Sequence, residues 1–411
     1  MKALPLKTPY HYLAAWLGAV KCRYPSRKLF VIGITGTKGK STTIELLNAI
    51  LEASGRKTAL LSSLRMKVGQ GSVPNTWSNT MPGRAKLQAF LKDAADAGCS
   101  HALIEVTSEG VRQKRHRFID WDAAVFLNIH PEHIESHGSF EKYREAKLDF
   151  FRSLQRSRKK ERFLFINTDD PNAVYFEEIA ALVPRSTLVP FTAADAWKLV
   201  EALREGYDAD WMHADFNVAN VAAALAVART LGIGRTTIVE ALGGFRGIPG
   251  RMEFVQREPF AIVIDYAHTP HSLEELYRNL RENYGFKEGH NLIVVLGSAG
   301  GGRDTWKRPE FGKIAASYAD FIVLTSEDPY NEDPFRIISE IRAGFADAPV
   351  NPKAIYEIAD RREAIQKALS LAGEGDVVVL TGMGSQEFFY GPNGTKIPWG
   401  ERKIVEELLK H

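Results

Sequence analysis

The stretch Val31-Ile-Gly-Ile-Thr-Gly-Thr-Lys-Gly-Lys-Ser-Thr-Thr43 joins an apolar strand to a glycine-rich turn, and a helical pattern follows at once. Backbone N–H groups in such a turn bind phosphate oxygens, Lys40 adds a positive charge, and Ser41 or Thr42 can reach a magnesium ion. The common pattern G-x-x-x-x-G-K-[ST] fails at one position, because Ile34 stands where its first glycine belongs. A tight turn that binds nothing is the alternative, but the Gly-Lys-Ser-Thr ending favours a nucleotide site.

Composition predicts a soluble globular chain with two domains. The length of 411 residues exceeds one ordinary core, and 45% hydrophobic with 25% charged residues is typical of globular proteins. A formal net charge of +3 predicts no general affinity for nucleic acid or membranes. Two cysteines (Cys22 and Cys99), no signal-peptide pattern and no apolar run of membrane-spanning length predict a cytoplasmic protein.

Strand-like apolar runs alternate with helical patterns, which predicts an α/β fold. We expect a P-loop central ATPase domain with a mostly parallel sheet, followed by a Rossmann-like doubly wound C-terminal domain. The predicted boundaries are 1–28 for an N-terminal helical extension, 29–246 for the central domain and 247–411 for the C-terminal domain, with a Gly/Pro-rich linker at 243–250. The predicted strands are 30–34, 58–61, 102–106, 124–127 and 163–166, then 261–264, 292–296, 321–324 and 377–380. The predicted helices are 41–54, 84–97, 140–153 and 217–231, then 271–284, 308–318, 335–346 and 360–372.

A short amphipathic helix is predicted over residues 9–20, before the basic stretch 21–28. Such a leading helix usually packs on the domain that follows it. Contact with an anionic membrane surface is the alternative.

A carboxylate, Glu105, ends the strand that we expect beside the phosphate loop, where it is well placed to hold magnesium. Three histidines follow, His130, His133 and His137, and they leave zinc, magnesium-associated and purely structural roles open. Because Pro131 makes this segment irregular, no helical spacing forces the three rings to converge.

These motifs occur in an order that resembles the Mur ligases, ATP-dependent enzymes that add amino acids to peptidoglycan precursors. The resemblance begins with Gly-Thr-Lys-Gly-Lys-Ser-Thr42, Glu105-Val-Thr-Ser108 and the series Asn128, His133, His137-Gly138, Tyr143 and Lys147. It continues through Phe216-Asn-Val-Ala-Asn220, Gly250-Arg-Met-Glu253, Asp265-Tyr-Ala-His-Thr-Pro270, Arg303-Asp-Thr-Trp-Lys-Arg-Pro309, Asp360-Arg361 and Gly382-Met-Gly384. The branch that adds the third residue, to UDP-N-acetylmuramoyl dipeptide, matches best.

The resemblance implies a two-step ligation with ATP and Mg²⁺. A carboxylate attacks the γ-phosphate of ATP to give an acyl phosphate, and an amine then displaces phosphate. Lys40 would hold the β- and γ-phosphates, Ser41 and Glu105 would bind one magnesium, and His133 another, supported by Lys147 as a carbamate. The family's ATP contacts correspond here to Gly36, Thr37, Lys38, Gly39, Lys40, Ser41, Thr42, Asn217, Asn220, Arg251, Asp265 and His268. Capping of a helix is the alternative for Asn217.

The resemblance also implies two substrate sites. Asn79, Thr80, Thr107, Ser108, Gln113 and Arg115 would bind the acceptor, with Arg115 pairing its carboxylate. Arg115 would otherwise belong to a solvated basic face. Arg303, Glu327, Asp328, Tyr330, Gly382, Gln386 and Glu387 would bind the amino acid. Tyr330 stands where ligases for meso-diaminopimelate have arginine, and the acidic neighbours favour a cationic side chain such as lysine. Asp328 could instead bind the backbone amine.

One departure from the family concerns uridine recognition. Residues 1–28 are too few for the family's N-terminal UDP-binding domain, so we expect rudimentary recognition, a partner protein that supplies it, or another acceptor.

The leading hypothesis is a monomeric ligase acting on a muramoyl-peptide acceptor and a free amino acid. A same-fold ligase acting on a γ-glutamyl chain, a folate-like molecule or a lipid-linked precursor is the second. A scaffolding nucleotide-binding protein is the third, and the joint presence of Lys40, Glu105, His133 and Lys147 argues against it.

Overall fold

The computed structural model describes residues 7–75, 80–131, 137–207, 210–214, 216–283, 289–302, 304–347 and 353–410. The chain divides into two compact units: Met1–Asp208 with Asn217–Phe245, and Ala209–Phe216 with Arg246–His411. Each unit has its own sheet and buried core. The sequence-based boundaries at residues 28 and 246 stay predictions.

The first unit is built on a mostly parallel sheet. Its strands are β1 (Phe30–Thr35), β2 (Thr58–Leu61), β3 (Arg65–Val68), β4 (Gly71–Pro74), β5 (His101–Glu105), β6 (Ala123–Phe126), β7 (Arg162–Asn167) and β8 (Ser186–Phe191). Its helices are α1 (Lys7–Lys21), α2 (Lys40–Ala53), α3 (Arg84–Asp96), α4 (Ser108–Arg112), α5 (Phe140–Ser153), α6 (Ala173–Ala180), α7 (Ala194–Gly206), α8 (Phe216–Thr230) and α9 (Arg235–Gly243).

The strand order of this sheet is β4-β3-β2-β5-β1-β6-β7-β8, so β1 lies between β5 and β6. These pairs are parallel, and Ile34 is opposite Glu105 in the register. The carboxyl ends of β1 and β5 therefore meet at one edge, which brings Glu105 to the phosphate loop. The pairs β2–β3 and β3–β4 are antiparallel, and the sequence did not predict these two outer strands.

Helix α5 shows how the sequence positions a site residue. Ser139 caps its start by accepting a hydrogen bond from the backbone N–H of Lys142 at 3.3 Å. Tyr143, Lys147 and Phe150 are buried at spacings of four and three, which places them on one face of the helix. Lys147 therefore lies on the face of α5 that packs into the core.

The second unit has a doubly wound sheet with one antiparallel edge. Its strands are β9 (Glu253–Gln256), β10 (Ala261–Asp265), β11 (Leu292–Leu296), β12 (Phe321–Leu324), β13 (Ala354–Glu357) and β14 (Val377–Thr381), with the hairpin β15 (Phe388–Tyr390) and β16 (Lys396–Pro398). The helices are α10 (Pro270–Asn283), α11 (Lys307–Tyr318), α12 (Pro334–Ala343), α13 (Arg361–Leu371) and α14 (Glu401–Leu408). The order is β13-β12-β11-β14-β10-β9, and only the β10–β9 pair of this sheet is antiparallel.

The predicted α/β class is confirmed, and each predicted strand and helix has a counterpart in the structure. The largest difference at a helix end is at α12, which ends at Ala343 rather than 346 because a 3-10 turn, Gly344–Asp347, follows it. Within the described residues, no helix combines the length and apolar character needed to cross a membrane.

Candidate active site

The phosphate loop connects β1 to α2 and is held by Asn128. The Asn128 side-chain oxygen accepts hydrogen bonds from the backbone N–H groups of Thr37 at 3.1 Å and Lys38 at 2.9 Å. Ile34 is fully buried inside β1. The chain is still strand at the position where the common loop has its first glycine, which explains the misfit noted in the sequence.

Lys40 begins α2 and folds back over its own loop. Its ammonium group donates to the carbonyl oxygens of Gly36 at 3.0 Å and Thr37 at 2.9 Å, and lies 3.9 Å from Glu105 Oε1. The loop therefore carries a fixed positive charge at its centre, where the negative charge of a polyphosphate would lie.

Ser41 and Glu105 meet as the sequence predicts. Ser41 Oγ donates to Glu105 Oε2 at 2.8 Å, and the same oxygen accepts the backbone N–H of Ser63 at 2.9 Å. Ser63 Oγ lies 2.9 Å from Ser41 Oγ. A hydroxyl and a buried carboxylate are hard oxygen donors, so this donor set suits Mg²⁺.

Lys147 reaches the same loop from α5. The side chain is only 1% exposed, its amine donates to the Gly36 carbonyl at 2.7 Å, and it lies 4.7 Å from the Tyr143 ring centre. The Tyr143 hydroxyl is 3.1 Å from Thr37 Oγ1. The structure therefore excludes the interpretation of Lys147 as an exposed helix lysine.

The histidine segment is described in part. His133 lies outside the described residues, whereas His137 Nε2 is 3.1 Å from Ser108 Oγ and its ring packs edge-on against Tyr143. Among the residues that the structure describes, no three His, Cys, Asp or Glu side chains form a group able to hold a metal.

Asn217 and Asn220 lie in the first turn of α8, beside the start of α2. Asn220 Nδ2 donates to Asn217 Oδ1 at 2.9 Å, and Thr43 Oγ1 donates to Asn220 Oδ1 at 3.4 Å. Gly39 adopts φ +80°, and a Cβ at this position would overlap Asn220 Oδ1. The loop therefore needs glycine at position 39 for its backbone angle and for the close approach of α8.

The predicted acceptor residues of the first unit lie around α4. Thr107 Oγ1 caps this helix by accepting the N–H of Gly110 at 3.1 Å. The Arg115 guanidinium donates to the Met81 carbonyl and, at 2.7 Å, to Gln113 Oε1. Thr80 precedes Met81, and Asn79 lies outside the described residues. Because Arg115 is buried, its interpretation as part of a solvated face is wrong.

The second unit brings most of its predicted amino-acid residues together around Glu327. Gly382 has φ +95°, and a Cβ there would overlap the Glu327 carboxylate. Asp328 Oδ1 accepts the backbone N–H of Tyr390 at 2.8 Å, and Gln386 Nε2 lies 3.4 Å from Asp328 Oδ2.

Burial raises the pKa of Glu327 to about 7, with further upward contributions from Asp328 and Glu401 and an opposing one from Arg361. Arg361 is itself buried and pairs with Glu401, the Nε to Oε1 distance being 3.1 Å. The site therefore holds a carboxyl group that changes protonation near neutral pH.

Tyr330 lines a cavity of about 820 Å³ together with Gly301, Trp306 and Arg308. The Tyr330 ring stacks on that of Tyr390 at 5.8 Å. Two residues predicted to bind the amino acid are not placed around Glu327. Arg303 lies outside the described residues. Glu387 makes a backbone contact, in which its carbonyl accepts the N–H of Trp399 at 2.9 Å.

The remaining predicted nucleotide residues of the second unit lie near the end of β10. Asp265 accepts the backbone N–H groups of Met252 at 2.8 Å and Ala267 at 2.7 Å. The Arg251 guanidinium lies 4.6 Å from the Tyr266 ring centre, and His268 Nδ1 is 2.8 Å from the Tyr266 carbonyl.

Comparison with known proteins identifies the family. Residues 34–228 match the Mur ligase middle domain, and residues 250–384 match the Mur ligase glutamate ligase domain. The chain belongs to the Mur ligase family. The predicted enzyme class, an ATP-dependent, ADP-forming ligase, is thereby confirmed.

Relatives of this Mur ligase match over most of its length. It is 34% identical to a UDP-N-acetylmuramyl-tripeptide synthetase of Treponema denticola, with 94% of this chain and 77% of that protein covered. It is 35% identical to a UDP-N-acetylmuramoyl-L-alanyl-D-glutamate–2,6-diaminopimelate ligase of Syntrophomonas wolfei, with 100% of this chain and 84% of that protein covered.

Solved structures show the same fold. A 2,6-diaminopimelate ligase superposes with a TM-score of 0.62 at 26% identity, with 97% of this chain and 82% of that one covered. A folylpolyglutamate synthase of Mycobacterium tuberculosis gives 0.68 at 17% identity, with 90% and 92% covered, and this likeness concerns the fold alone.

The sequence did not predict the contacts that three residues make near these predicted sites. Asn128 appeared only as part of a motif, yet its side chain holds the phosphate loop. Ser63 follows β2, the strand next to β5, and a polar residue at that strand end was the available signal. Glu401 is far from Arg361 in sequence, so no local pattern could reveal their pairing.

Proposed function

We propose that this Mur ligase joins a free amino acid to a UDP-N-acetylmuramoyl dipeptide through an acyl phosphate, in peptidoglycan precursor synthesis. The observation that carries the proposal is the convergence of Lys40, Ser41, Glu105 and Lys147 on one phosphate loop. The names of the Treponema and Syntrophomonas relatives supply the acceptor class.

In the first step, the triphosphate binds the N–H groups of residues 36–42, and Lys40 exchanges its two carbonyl acceptors for β- and γ-phosphate oxygens. The acceptor carboxylate then attacks the γ-phosphorus, and the bond to the leaving ADP oxygen breaks. Because negative charge gathers on the transferring group, a cation fixed before the reaction lowers the barrier without reorganisation.

Magnesium ions would be held by Ser41 and Glu105 at one position, and by His133 with Lys147 at a second. A bound magnesium ion neutralises phosphate charge and orients the γ-phosphate. Lys147 serves the second position as a carbamate, in which its uncharged amine has bonded to the carbon of CO₂ and lost a proton. The modification converts a buried cation into an anion with oxygen donors.

The acceptor carboxylate is proposed to pair with Arg115, beside Thr80, Thr107, Ser108 and Gln113, with Asn79 preceding them. Arg115 presents a planar group suited to bidentate carboxylate contacts.

In the second step, the amine of the amino acid attacks the acyl carbon, and phosphate leaves. Glu327, Asp328, Gln386 and Gly382 are proposed to receive this amino acid, with Tyr330 beside them. We favour a cationic side chain such as lysine, because the group contributes two carboxyls. Arg303 and Glu387 stay predictions for this site. Asn217, Asn220, Arg251, Asp265 and His268 stay predictions for nucleotide binding.

We also propose a cytoplasmic, monomeric enzyme. The substrates in this proposal are ATP, a nucleotide-linked peptide and a free amino acid, and Cys22 and Cys99 are free thiols, as in a reducing compartment.

The test measures phosphate release with ATP, Mg²⁺, UDP-N-acetylmuramoyl dipeptide and a panel of amino acids. We expect release only when acceptor and the correct amino acid are both present. Lys40→Ala should lower the rate by about 10²–10³-fold. Lys57→Ala is the matched control, because Lys57 also donates to a backbone carbonyl, that of Ala97, but outside the loop. If none of the amino acids in the panel supports phosphate release, the proposal is contradicted. Turnover with a folate or γ-glutamyl acceptor would favour the same-fold alternative.

A further inference from the structure

Helix α1 of the first unit has two faces of different character. Ala15 and Ala19 are almost fully buried where α1 packs against α3, and the Tyr12 ring lies 4.9 Å from that of Phe118. This face fixes the helix on the unit.

The opposite face exposes large apolar side chains. Tyr10, Leu13, Leu17 and Val20 are 62%, 52%, 52% and 43% exposed, and their spacing of three, four and three residues forms one stripe along the helix. Trp16 flanks the stripe at 42% exposure. Single exposed apolar residues are ordinary, but a continuous apolar stripe is typical of a surface that binds a membrane or another protein.

The charged residues of α1 and of the segment that follows it are basic, and an acidic group of the packed helix α3, Asp96, interacts electrostatically with Lys28. The sequence of α1 contains no aspartate or glutamate, and the helix ends in Lys21. Arg23 and Lys28 follow and are also exposed, while Arg27 pairs with Asp120 at 3.0 Å. The whole chain has a formal net charge of only +3, so this basic character is local.

We propose that α1 docks this enzyme onto an anionic lipid surface, with the stripe 10-13-17-20 in the headgroup region and Lys21, Arg23 and Lys28 beside lipid phosphates. Aromatic and leucine side chains on one face with basic residues at the helix end are typical of helices that lie in a membrane interface. Each basic residue near such a surface adds to the attraction. The helix lies on the membrane rather than across it, since no described helix could span one. This docking is separate from the ligase reaction and does not depend on the acceptor.

The experiment measures flotation of the full chain with vesicles of phosphatidylcholine, with and without phosphatidylglycerol. We expect binding to the anionic vesicles, weakened by salt, and little binding to neutral ones. The double variant Leu13→Ser/Leu17→Ser should reduce binding at least about tenfold. Leu182→Ser is the matched control, since Leu182 is 70% exposed elsewhere on the same unit and should leave binding unchanged.

A second pair of variants tests the charges. Replacing Lys21, Arg23 and Lys28 by glutamine should reduce binding about tenfold or more, whereas the same replacement at the exposed Lys160, Lys313 and Lys410 should have little effect. All variants should keep the far-UV circular dichroism and the phosphate release of the parent protein, because none of these residues belongs to the active site.

Three results would overturn the proposal. One is the absence of binding to anionic vesicles, and another is equal binding by the parent and the α1 variants. The third is a dimer that the Leu13→Ser/Leu17→Ser variant abolishes while lipid binding is absent, which would assign the stripe to a second copy of the chain.

Discussion

At the scale of single residues, Lys147 is the clearest case of a side chain whose environment differs from its ordinary one. Its amine is buried and lies 2.7 Å from the Gly36 carbonyl of the phosphate loop. Lys147→Ala should lower the ligation rate by about 10²–10³-fold, because the anion proposed at this position is lost. Acetate or formate should restore part of the rate.

The control for this prediction is Lys142→Ala, an exposed lysine on the same helix, which should leave the rate unchanged. Full activity of Lys147→Ala would contradict the proposed carbamate, and so would a loss of activity that no short carboxylic acid relieves.

Glu327 gives a prediction about pH at the same scale. Burial disfavours the charged form of its carboxyl and raises the pKa in the folded protein to about 7, from an ordinary value of 4.5. The unfolded chain therefore releases this proton first as pH rises. The contribution of Glu327 to stability is fully present at acid pH and is lost between about pH 4.5 and 7, by on the order of 3 kcal/mol.

Glu327→Gln should remove this slope in the free energy of unfolding measured by urea titration, and should stabilise the protein at pH 8. Glu363→Gln, at an exposed position of α13, is the control and should leave the slope as it is. An unchanged slope in Glu327→Gln would show that Glu327 does not titrate in this range.

At the scale of elements, the junction of β1, the phosphate loop and α2 depends on Gly39. Gly39 and Gly55 both have φ +80°, but a Cβ at Gly39 would overlap Asn220, whereas a Cβ at Gly55 has no atom within 4 Å. Gly55→Ala should cost only the backbone strain, about 1 kcal/mol. Gly39→Ala should cost more than this and should also displace α8 from the loop.

The free energy of unfolding and the rate of phosphate release of the two variants test this prediction. Gly55→Ala should keep the parent rate, and Gly39→Ala should lose most of it. Equal stability and equal rates of the two variants would contradict the importance of the contact between the loop and Asn220.

The same junction shows what a sequence can predict. The strand, glycine turn and helix follow each other in the chain, so local patterns predicted them, and Glu105 was found because parallel strand ends share one edge. Strand β4 has an entirely exposed burial pattern and β9 an intermediate one, so neither shows the apolar signal of a core strand. Burial of Arg115 beside Met81 and pairing of Arg361 with Glu401 arise only on folding, and no local spacing encodes them.

At the scale of the whole molecule, the family and the reaction type were predictable because ordered motifs extend over nearly the whole chain, and the two family domains match in the same order. Substrate choice was less predictable, since we propose that it depends on a few side chains such as Tyr330, whose surroundings arise only on folding.

The central claim is that the acceptor carboxylate becomes an acyl phosphate. The most direct test uses an acceptor whose carboxylate oxygens are ¹⁸O and follows the isotope by mass spectrometry during ligation. We predict that each turnover places one ¹⁸O in the released phosphate and leaves the other in the new amide carbonyl, because the attacking oxygen departs with phosphorus. Amide product formed with unlabelled phosphate would contradict the account.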